Sequence, residues 1–240
     1  MKHALIFSAS TLTLAVGTAM GILNAAAPLP VATDGGKVQL SLSRIYWEYN
    51  ASANDLGVHV TLDGEDWKAL RIKRPDKQTI FEVKGKGAYK QLGMTELFFE
   101  GAEPSLNTFP LQELLSKFPE GEYDFEGFTV DNEIIEGESM FSHAIPAGPA
   151  VSTQQGPNNS LRVNWTPVIT TPPGFPARPI VISGYQVIVG SFQVTLPASA
   201  TSVTVPPEFV ASLASGVQPY EVLAIEANGN QTLTEGTFIK

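Results

Sequence analysis

The chain has no cysteine, and only two of its three histidines lie beyond the first few residues. The lack of cysteine excludes a disulfide framework and a lipid-modified N-terminal cysteine, so packed cores must hold the fold together. A hydrolytic triad would have to use His59 or His143, and neither lies in a nucleophile-elbow glycine pattern. A zinc site needs more ligands than two histidines give, although carboxylates could complete it.

Positive charge is also scarce, with 15 lysines and arginines against 24 acidic residues and a net charge of −9. This balance, and the lack of a phosphate-binding glycine loop, count against nucleic acid as a partner. The charges are unevenly placed: residues 28–145 hold 11 basic and 20 acidic side chains, and residues 146–240 hold only 3 and 4. The change predicts two domains, 28–145 and 146–240.

The first 27 residues have the three parts of a secretory signal. Lys2 precedes an uncharged, mainly apolar run over residues 4–23, and three alanines follow at 25–27. The rival interpretation is an uncleaved membrane anchor, because the run approaches the length of a bilayer span. Serines and threonines dilute that run, which favours cleavage. We therefore expect export to the periplasm or the extracellular space, with no stable membrane span after signal removal.

Residues 146–240 alternate between apolar and polar positions in short runs separated by turns. The alternation places Leu161, Val163 and Trp165 on one face of a strand, and a second strand carries its own core residues in the same way. No helical period competes with this pattern, and "TPPGFPARP" must be a loop because it is rich in proline. These features predict a small antiparallel sandwich.

The stretches "LRVNW", "ISGYQVIV", "TSVTVPP" and "YEVLAIEANGNQT" resemble a bacterial fibronectin type III domain in order and spacing. The resemblance implies an immunoglobulin-like sandwich that serves as a spacer or as a surface for protein and glycan contacts, hardly ever as a catalyst. The family's corner tyrosine falls on Gln218. Either the Gln218 amide substitutes for it, or Tyr220 makes the bond from one step further along.

Residues 28–145 also read mainly as strands, with a short helix near 110–118 where leucines recur at helical spacing. The face of the alternation changes near Ser43 and Arg44, which predicts a bulge or a break between two strands. Asp63-Gly64 predicts a hairpin. The segment resembles parts of exported bacterial proteins that precede fibronectin type III modules, and that resemblance implies no activity. The predicted fold class is mainly β, with two β-sandwich-like domains.

The most unusual charge pattern is a basic ribbon over residues 68–90, followed by twelve acidic residues and one lysine between 96 and 138. One hypothesis makes the ribbon a binding site for polyanions such as acidic polysaccharide. The other has strand edges using lysine against edge-to-edge pairing, with the two charge sets facing each other in the fold. The ribbon residues are Lys68, Arg71, Lys73, Arg74, Lys77, Lys84, Lys86 and Lys90.

Two further patterns suggest chemistry. Acidic turns offer Asp55, Asp63 and Asp66 as oxygen ligands for calcium, although ordinary turns favour the same residue types. Glu100 and Glu103 could divide acid and base work in a small hydrolase of glycan or peptide. No other cofactor is expected. The function favoured by the sequence is a non-catalytic interaction or adhesion protein of the envelope or secreted fraction, which binds a protein or a polysaccharide.

Overall fold

The computed structural model describes residues 36–240 of the chain. The predicted signal peptide lies outside the described residues. Strands dominate the described part, with three short α-helices, so the mainly β prediction is confirmed. Two hydrophobic cores divide it into an N-terminal sandwich and a C-terminal sandwich.

The N-terminal sandwich contains seven strands and two helices. They are β1 (Lys37–Gln39), β2 (Leu42–Asn50), β3 (Asp55–Lys73), β4 (Thr79–Lys84), α1 (Ala88–Leu92), β5 (Met94–Glu100), α2 (Leu111–Lys117), β6 (Gly121–Thr129) and β7 (Ile134–Phe141). The predicted helix near 110–118 is confirmed by α2, which buries Leu114 and Leu115 in the core.

One long strand, β3, belongs to both layers of this sandwich. Its first half pairs with β2 and β5, and its second half pairs with β4 and β6. The ladders shift register between Asp63 and Trp67, where the strand passes from one layer to the other. The predicted hairpin at Asp63-Gly64 is therefore wrong. A Cβ on Gly64 would lie 2.7 Å from Leu40 Cδ2, so this glycine allows a close approach rather than a tight turn.

Aromatic side chains join the two layers face to face. Phe81 of β4 stacks on Phe99 of β5 with ring centroids 4.4 Å apart, and Trp47 of β2 lies 5.2 Å from Phe141 of β7. β2 keeps an unbroken register through Ser43 and Arg44, so the break predicted there lies earlier, at residues 40–41 between β1 and β2. β1 pairs parallel with β7 whereas β2 pairs antiparallel with β3, so the chain changes layer at this break.

The C-terminal sandwich contains β8 (Val151–Gln155), β9 (Leu161–Trp165), β10 (Ile182–Val189), β11 (Phe192–Pro197), β12 (Ser202–Val205), α3 (Pro207–Ser212), β13 (Val217–Glu226) and β14 (Gln231–Ile239). One sheet has the order β12-β9-β8, and the other strands run β14-β13-β10-β11. This division into two sheets is that of an immunoglobulin-like sandwich of the fibronectin type III kind. The predicted core strands bury Val163, Trp165, Tyr185 and Val187.

Both sandwiches contain a side chain that bonds back to the main chain four residues upstream. In the second, the Gln218 amide donates to the carbonyl of Ala214 at 2.9 Å, so the first of the two sequence explanations is confirmed. In the first, the hydroxyl of Tyr123 donates to the carbonyl of Pro119 at 3.1 Å, which is the arrangement of a tyrosine corner.

The two sandwiches share one hydrogen-bonded sheet. β14 pairs parallel with β2, and the strand order across the junction is β6-β3-β2-β14-β13. Ile145 packs in the first core and Ala147 packs against the second, within one compact unit. The domain boundary at residue 145 stays a prediction.

Candidate functional site

A cluster of titratable side chains lies on the outer face of the N-terminal sandwich, close to the junction. Strand alternation sends Trp47, Val58 and Phe99 into the core, so their neighbours Glu48 and His59 point to the other face. The register then sets these neighbours side by side, because His59 pairs with Glu100 and Glu48 pairs with Gly57. The sheet thus brings together residues from β2, β3 and β5.

Glu103 joins the cluster from the turn after β5. The backbone N–H of Gly101 donates to the carbonyl of Val58 at 2.8 Å and holds this turn against β3. A Cβ on Gly57 would lie 2.5 Å from Glu103 Cγ. Glu103 can therefore fold over the strand only because position 57 carries no side chain.

The imidazole of His59 lies between two carboxylates. His59 Nε2 is 3.3 Å from Glu103 Oε1 and 3.8 Å from Glu48 Oε1. One ligand atom from each of the three side chains lies within 4.8 Å of the others. The side chains of His59, Glu48 and Glu103 are 5%, 15% and 27% exposed, so Glu103 is the member of the cluster most open to solvent.

The C-terminal sandwich contributes one side chain to the cluster. Gln231 begins β14 and pairs in register with Glu48, and its amide donates to Glu48 Oε2. The preceding residue, Asn230, fixes this contact, since its side chain accepts a hydrogen bond from Trp47 N at 2.8 Å. The orientation of Glu48 thus depends on how the two sandwiches are joined.

Burial and mutual repulsion shift the acid–base equilibria of the cluster. Burial raises the pKa of Glu48, and the charge of His59 and the hydrogen bond from Gln231 offset this only partly. Burial would lower the pKa of His59, but the hydrogen bond to Glu103 and the charge of Glu48 outweigh it, so that pKa is raised. The pair formed by His59 and Glu103 therefore favours a protonated imidazole.

Two more carboxyl groups extend the cluster. Burial and the charge of Glu103 raise the pKa of Glu100, which also shares a hydrogen bond with Glu103. Burial, then repulsion by Glu103 and Glu235, raises the pKa of Asp55 to about 6. One oxygen of Asp55, Oδ1, is buried and has no hydrogen-bond partner among the described residues.

Two aromatic rings flank His59. The ring of Tyr46 lies 5.4 Å from the imidazole and the ring of Phe98 lies 5.9 Å from it. Burial, with the charge of Glu48, raises the pKa of Tyr46 to about 12. The tyrosine is thus a neutral wall of the site rather than a base.

The structure does not bring the three predicted calcium ligands together. Asp55 begins β3 and Asp63 lies eight residues further along the same strand, a separation of about 26 Å for extended backbone. Asp66 lies between Asp63 and Trp67, where the ladder between β3 and β5 shifts register. This geometry corrects the expectation of one calcium site built from all three. The predicted hairpin that would have brought them together is absent, because β3 is continuous from Asp55 to Lys73.

Much of the basic ribbon meets acidic partners. Arg71 and Lys73 of β3 both contact the Glu126 carboxylate of β6, the lysine at 2.6 Å. Lys77 contacts Asp124 at 2.8 Å. Arg74 pairs locally with Asp76. Three of these four basic side chains are therefore paired with the neighbouring acidic strand, as the second of the two sequence hypotheses expects.

The remaining ribbon residues divide between strand and helix. Lys68 donates to Val130 O at 3.0 Å, and Lys84 contacts Glu82 at 2.6 Å. Lys86 precedes α1 and Lys90 lies in it, and within residues 36–240 this helix has no buried side chain. This end of the ribbon displays its lysines to solvent.

A surface groove of about 610 Å³ lies away from the cluster, on the C-terminal sandwich between Leu161, Val210 and Phe238. Lys240 is the ionisable side chain on its wall in the described part of the chain, and its ammonium donates to Leu213 O and Ala211 O. The described residues that line the groove include no pair of acidic and basic side chains that could act in catalysis.

Sequence reasoning identified Glu100 and Glu103 but missed Glu48 and Gln231. Glu48 interrupts an apolar stretch between Trp47 and Tyr49, and this placement on the outer face was a usable signal. Nothing local marks Gln231, because its contact depends on strand pairing across 183 positions.

No family model matches the chain, and no curated protein matches it significantly. Among solved structures it is similar to a segment of two fibronectin type III domains of chicken tenascin, 15% identical over 84% of this chain and 99% of that one, with a TM-score of 0.26. The fibronectin(III)-like modules of Clostridium thermocellum CbhA are 11% identical over 82% and 92%, with a TM-score of 0.29.

The spore cortex lytic enzyme SleM of Clostridium perfringens also matches, 19% identical with a TM-score of 0.31. This match covers 42% of this chain and spans 29% of that one. The immunoglobulin-like assignment rests on the strand order of the C-terminal sandwich. Over residues 36–240, no helix is long and apolar enough to cross a membrane.

Proposed function

We propose that this chain is an exported, non-catalytic binding protein that uses α1 and its flanks to hold an anionic polysaccharide of the envelope or the extracellular space. The observation that carries the proposal is the exposure of α1. It displays Tyr89 and Leu92, 64% and 76% exposed, beside Lys86 and Lys90. These two apolar side chains lie beside two lysines, so a partner could gain both contact area and positive charge from this surface.

The segment is held in place by glycines, although its side chains are free. A Cβ on Gly85 would lie 2.8 Å from Tyr89 O, and Gly93 has a φ of +78° with its Cβ position 2.7 Å from Asp66 Cβ. Side chains at these positions would push α1 away from β3. The backbone thus positions a small basic surface on a rigid sheet, which is how binding loops are commonly built.

The chemistry of the segment fits a polyanion. Two neighbouring lysines raise the local concentration of a chain of negative charges, and the apolar side chains beside them add contact area. Most of the other ribbon residues already contact acidic groups, so α1 carries the positive charge that remains available.

The test compares binding of alginate, dextran sulfate and neutral dextran to the purified chain at several salt concentrations. Replacing Lys86 and Lys90 by alanine should weaken polyanion binding about tenfold or more. It should also reduce the slope of log affinity against log salt concentration by about the contribution of two charges. Lys117→Ala is the matched control, because this lysine is exposed but pairs with Glu113 on α2. Equal binding by the double variant and the control would overturn the proposal.

A second candidate is a small hydrolase that uses the carboxylate cluster. The observation that favours it is the raised pKa of Glu100, from burial and from Glu103, with which it shares a hydrogen bond. Two carboxyl groups in hydrogen-bond contact are closer than the roughly 5–9 Å that glycoside hydrolysis needs, so peptide is the better substrate class. Glu100→Gln should then abolish peptide hydrolysis in a chain that stays folded.

A further inference from the structure

The outer-face cluster concentrates negative charge with little compensation. Glu48, Glu100 and Glu103 surround one imidazole, and within residues 36–240 no lysine or arginine pairs with any of the three. The basic group on β2, the strand of Glu48, is Arg44. Its guanidinium lies 4.8 Å from the Tyr46 ring centroid and donates to Gly229 O. A half-buried group of carboxylates needs a counter-charge from a proton or from a cation.

The three ligand atoms have the spacing of a metal site. A tetrahedral ion with bonds of about 2.0–2.1 Å holds its ligand atoms roughly 3.3–3.4 Å apart. His59 Nε2 lies 3.3 Å from Glu103 Oε1 and 3.8 Å from Glu48 Oε1. All three atoms lie within 4.8 Å of one another, so rotation of the glutamate side chains has to close the remaining distances for one ion to bind all three.

We propose that Glu48, His59 and Glu103 form a binding site for a divalent transition-metal ion of the Zn²⁺ class, with a fourth position open to water. One imidazole nitrogen and two carboxylate oxygens are ligands that Zn²⁺ accepts in proteins. Calcium and magnesium prefer six or more oxygen ligands, or several retained waters, and the nitrogen in this set disfavours both.

The surroundings of the three side chains support ligation. Gln231 donates to the carboxylate oxygen of Glu48 that does not face His59, and so orients the ligating one. Gly57 leaves the space into which Glu103 folds. The unpartnered buried oxygen of Asp55 adds negative potential nearby. Glu103 is the most exposed of the three ligands, so an ion enters past it.

The site also links the two sandwiches. Glu48 and His59 belong to the first, while Gln231 belongs to β14 of the second. An ion bound to Glu48 would therefore hold the Glu48 carboxylate in the orientation that accepts the hydrogen bond from Gln231. Binding of this kind raises the melting temperature of the whole chain, because the metal prefers the folded state.

The test is equilibrium dialysis of the purified full chain against Zn²⁺ alone, with the retained metal measured by mass spectrometry, after EDTA treatment. We expect one ion per chain and a melting temperature that rises with Zn²⁺ concentration. Glu103→Gln and His59→Gln should each weaken affinity by about 100-fold or more, and Gln231→Ala by about 10-fold. Glu96→Gln is the control, since Glu96 is an exposed glutamate of β5, the strand that precedes the turn carrying Glu103.

Retention of no zinc by the wild-type chain would overturn the proposal, as would equal affinity in Glu103→Gln and Glu96→Gln. If His59→Gln does not fold, Glu103→Gln still decides, because Glu103 lies in a turn and its carboxylate is partly exposed. Polysaccharide binding at α1 uses other residues, so the outcome does not depend on the proposed function.

Discussion

The side-chain carbonyl of Asn230 accepts a hydrogen bond from the backbone N–H of Trp47 at 2.8 Å, and this buried bond joins the two sandwiches. The same side chain donates to Ser142 O at 2.8 Å and to Ala144 O at 3.0 Å. Asn230 is 1% exposed. One amide therefore satisfies three main-chain groups that strand pairing leaves open.

Asn230→Ala should destabilise the chain by about 3 kcal/mol, because it removes the partners of the buried Trp47 N–H and of Ser142 O. Ala144 O keeps the hydrogen bond from Asn228 Nδ2. Urea unfolding followed by tryptophan fluorescence measures the loss. The control is Asn107→Ala, an exposed asparagine whose side chain accepts from Asn54, and it should change stability by about 0.5 kcal/mol or less. Similar midpoints for the two variants would show that the junction does not depend on this amide.

Gly57→Ala should displace Glu103 from His59, since the new Cβ would lie 2.5 Å from Glu103 Cγ. The pKa of His59 should then fall, because the hydrogen bond to Glu103 that raises it is lost. NMR titration of the imidazole in EDTA measures the change. Glu103→Gln should produce a shift of the same sign without altering the backbone. An unchanged His59 pKa in both variants would contradict the contact.

Local patterns predict much of this fold and little of the cluster. Period-two alternation identified the strands that bury Val163, Tyr185 and Val187, and leucine spacing identified α2. The Asp63-Gly64 prediction failed because the turn signal there competes with pairing on both sides of β3, which is a tertiary effect. The contact between Gln231 and Glu48 could not be predicted from the sequence, since the parallel pairing of β14 with β2 has no local sequence signature.

Tyr123→Phe should lower the free energy of unfolding by about 1–1.5 kcal/mol, since it removes the bond from the hydroxyl to Pro119 O while keeping the buried ring. Tyr89→Phe is the matched control, because Tyr89 is exposed on α1 and should cost about 0.5 kcal/mol or less. Denaturant titration of both variants gives the comparison. A Tyr123→Phe variant as stable as the control would show that this corner contributes nothing to stability.

Asp55→Asn should make the chain less sensitive to pH between about 4 and 6. The pKa of Asp55 is raised to about 6 in the folded state by burial and by repulsion from Glu103 and Glu235, and lies near 4 when unfolded. The folded chain therefore holds this proton more tightly. Its contribution to stability is complete below the unfolded pKa and is lost as pH rises through the folded pKa.

Because Glu126 and Glu120 have lowered pKa values and act in the opposite direction, the difference between wild type and Asp55→Asn isolates the effect of Asp55. Melting temperatures of both chains, measured in EDTA from pH 4 to pH 8, provide that difference. The melting temperature of the asparagine variant should rise relative to that of the wild type as pH increases from about 4 to about 6, since asparagine carries no charge to bury. Parallel curves would mean that Asp55 titrates alike in the folded and unfolded chains, and that its buried oxygen is reached by solvent.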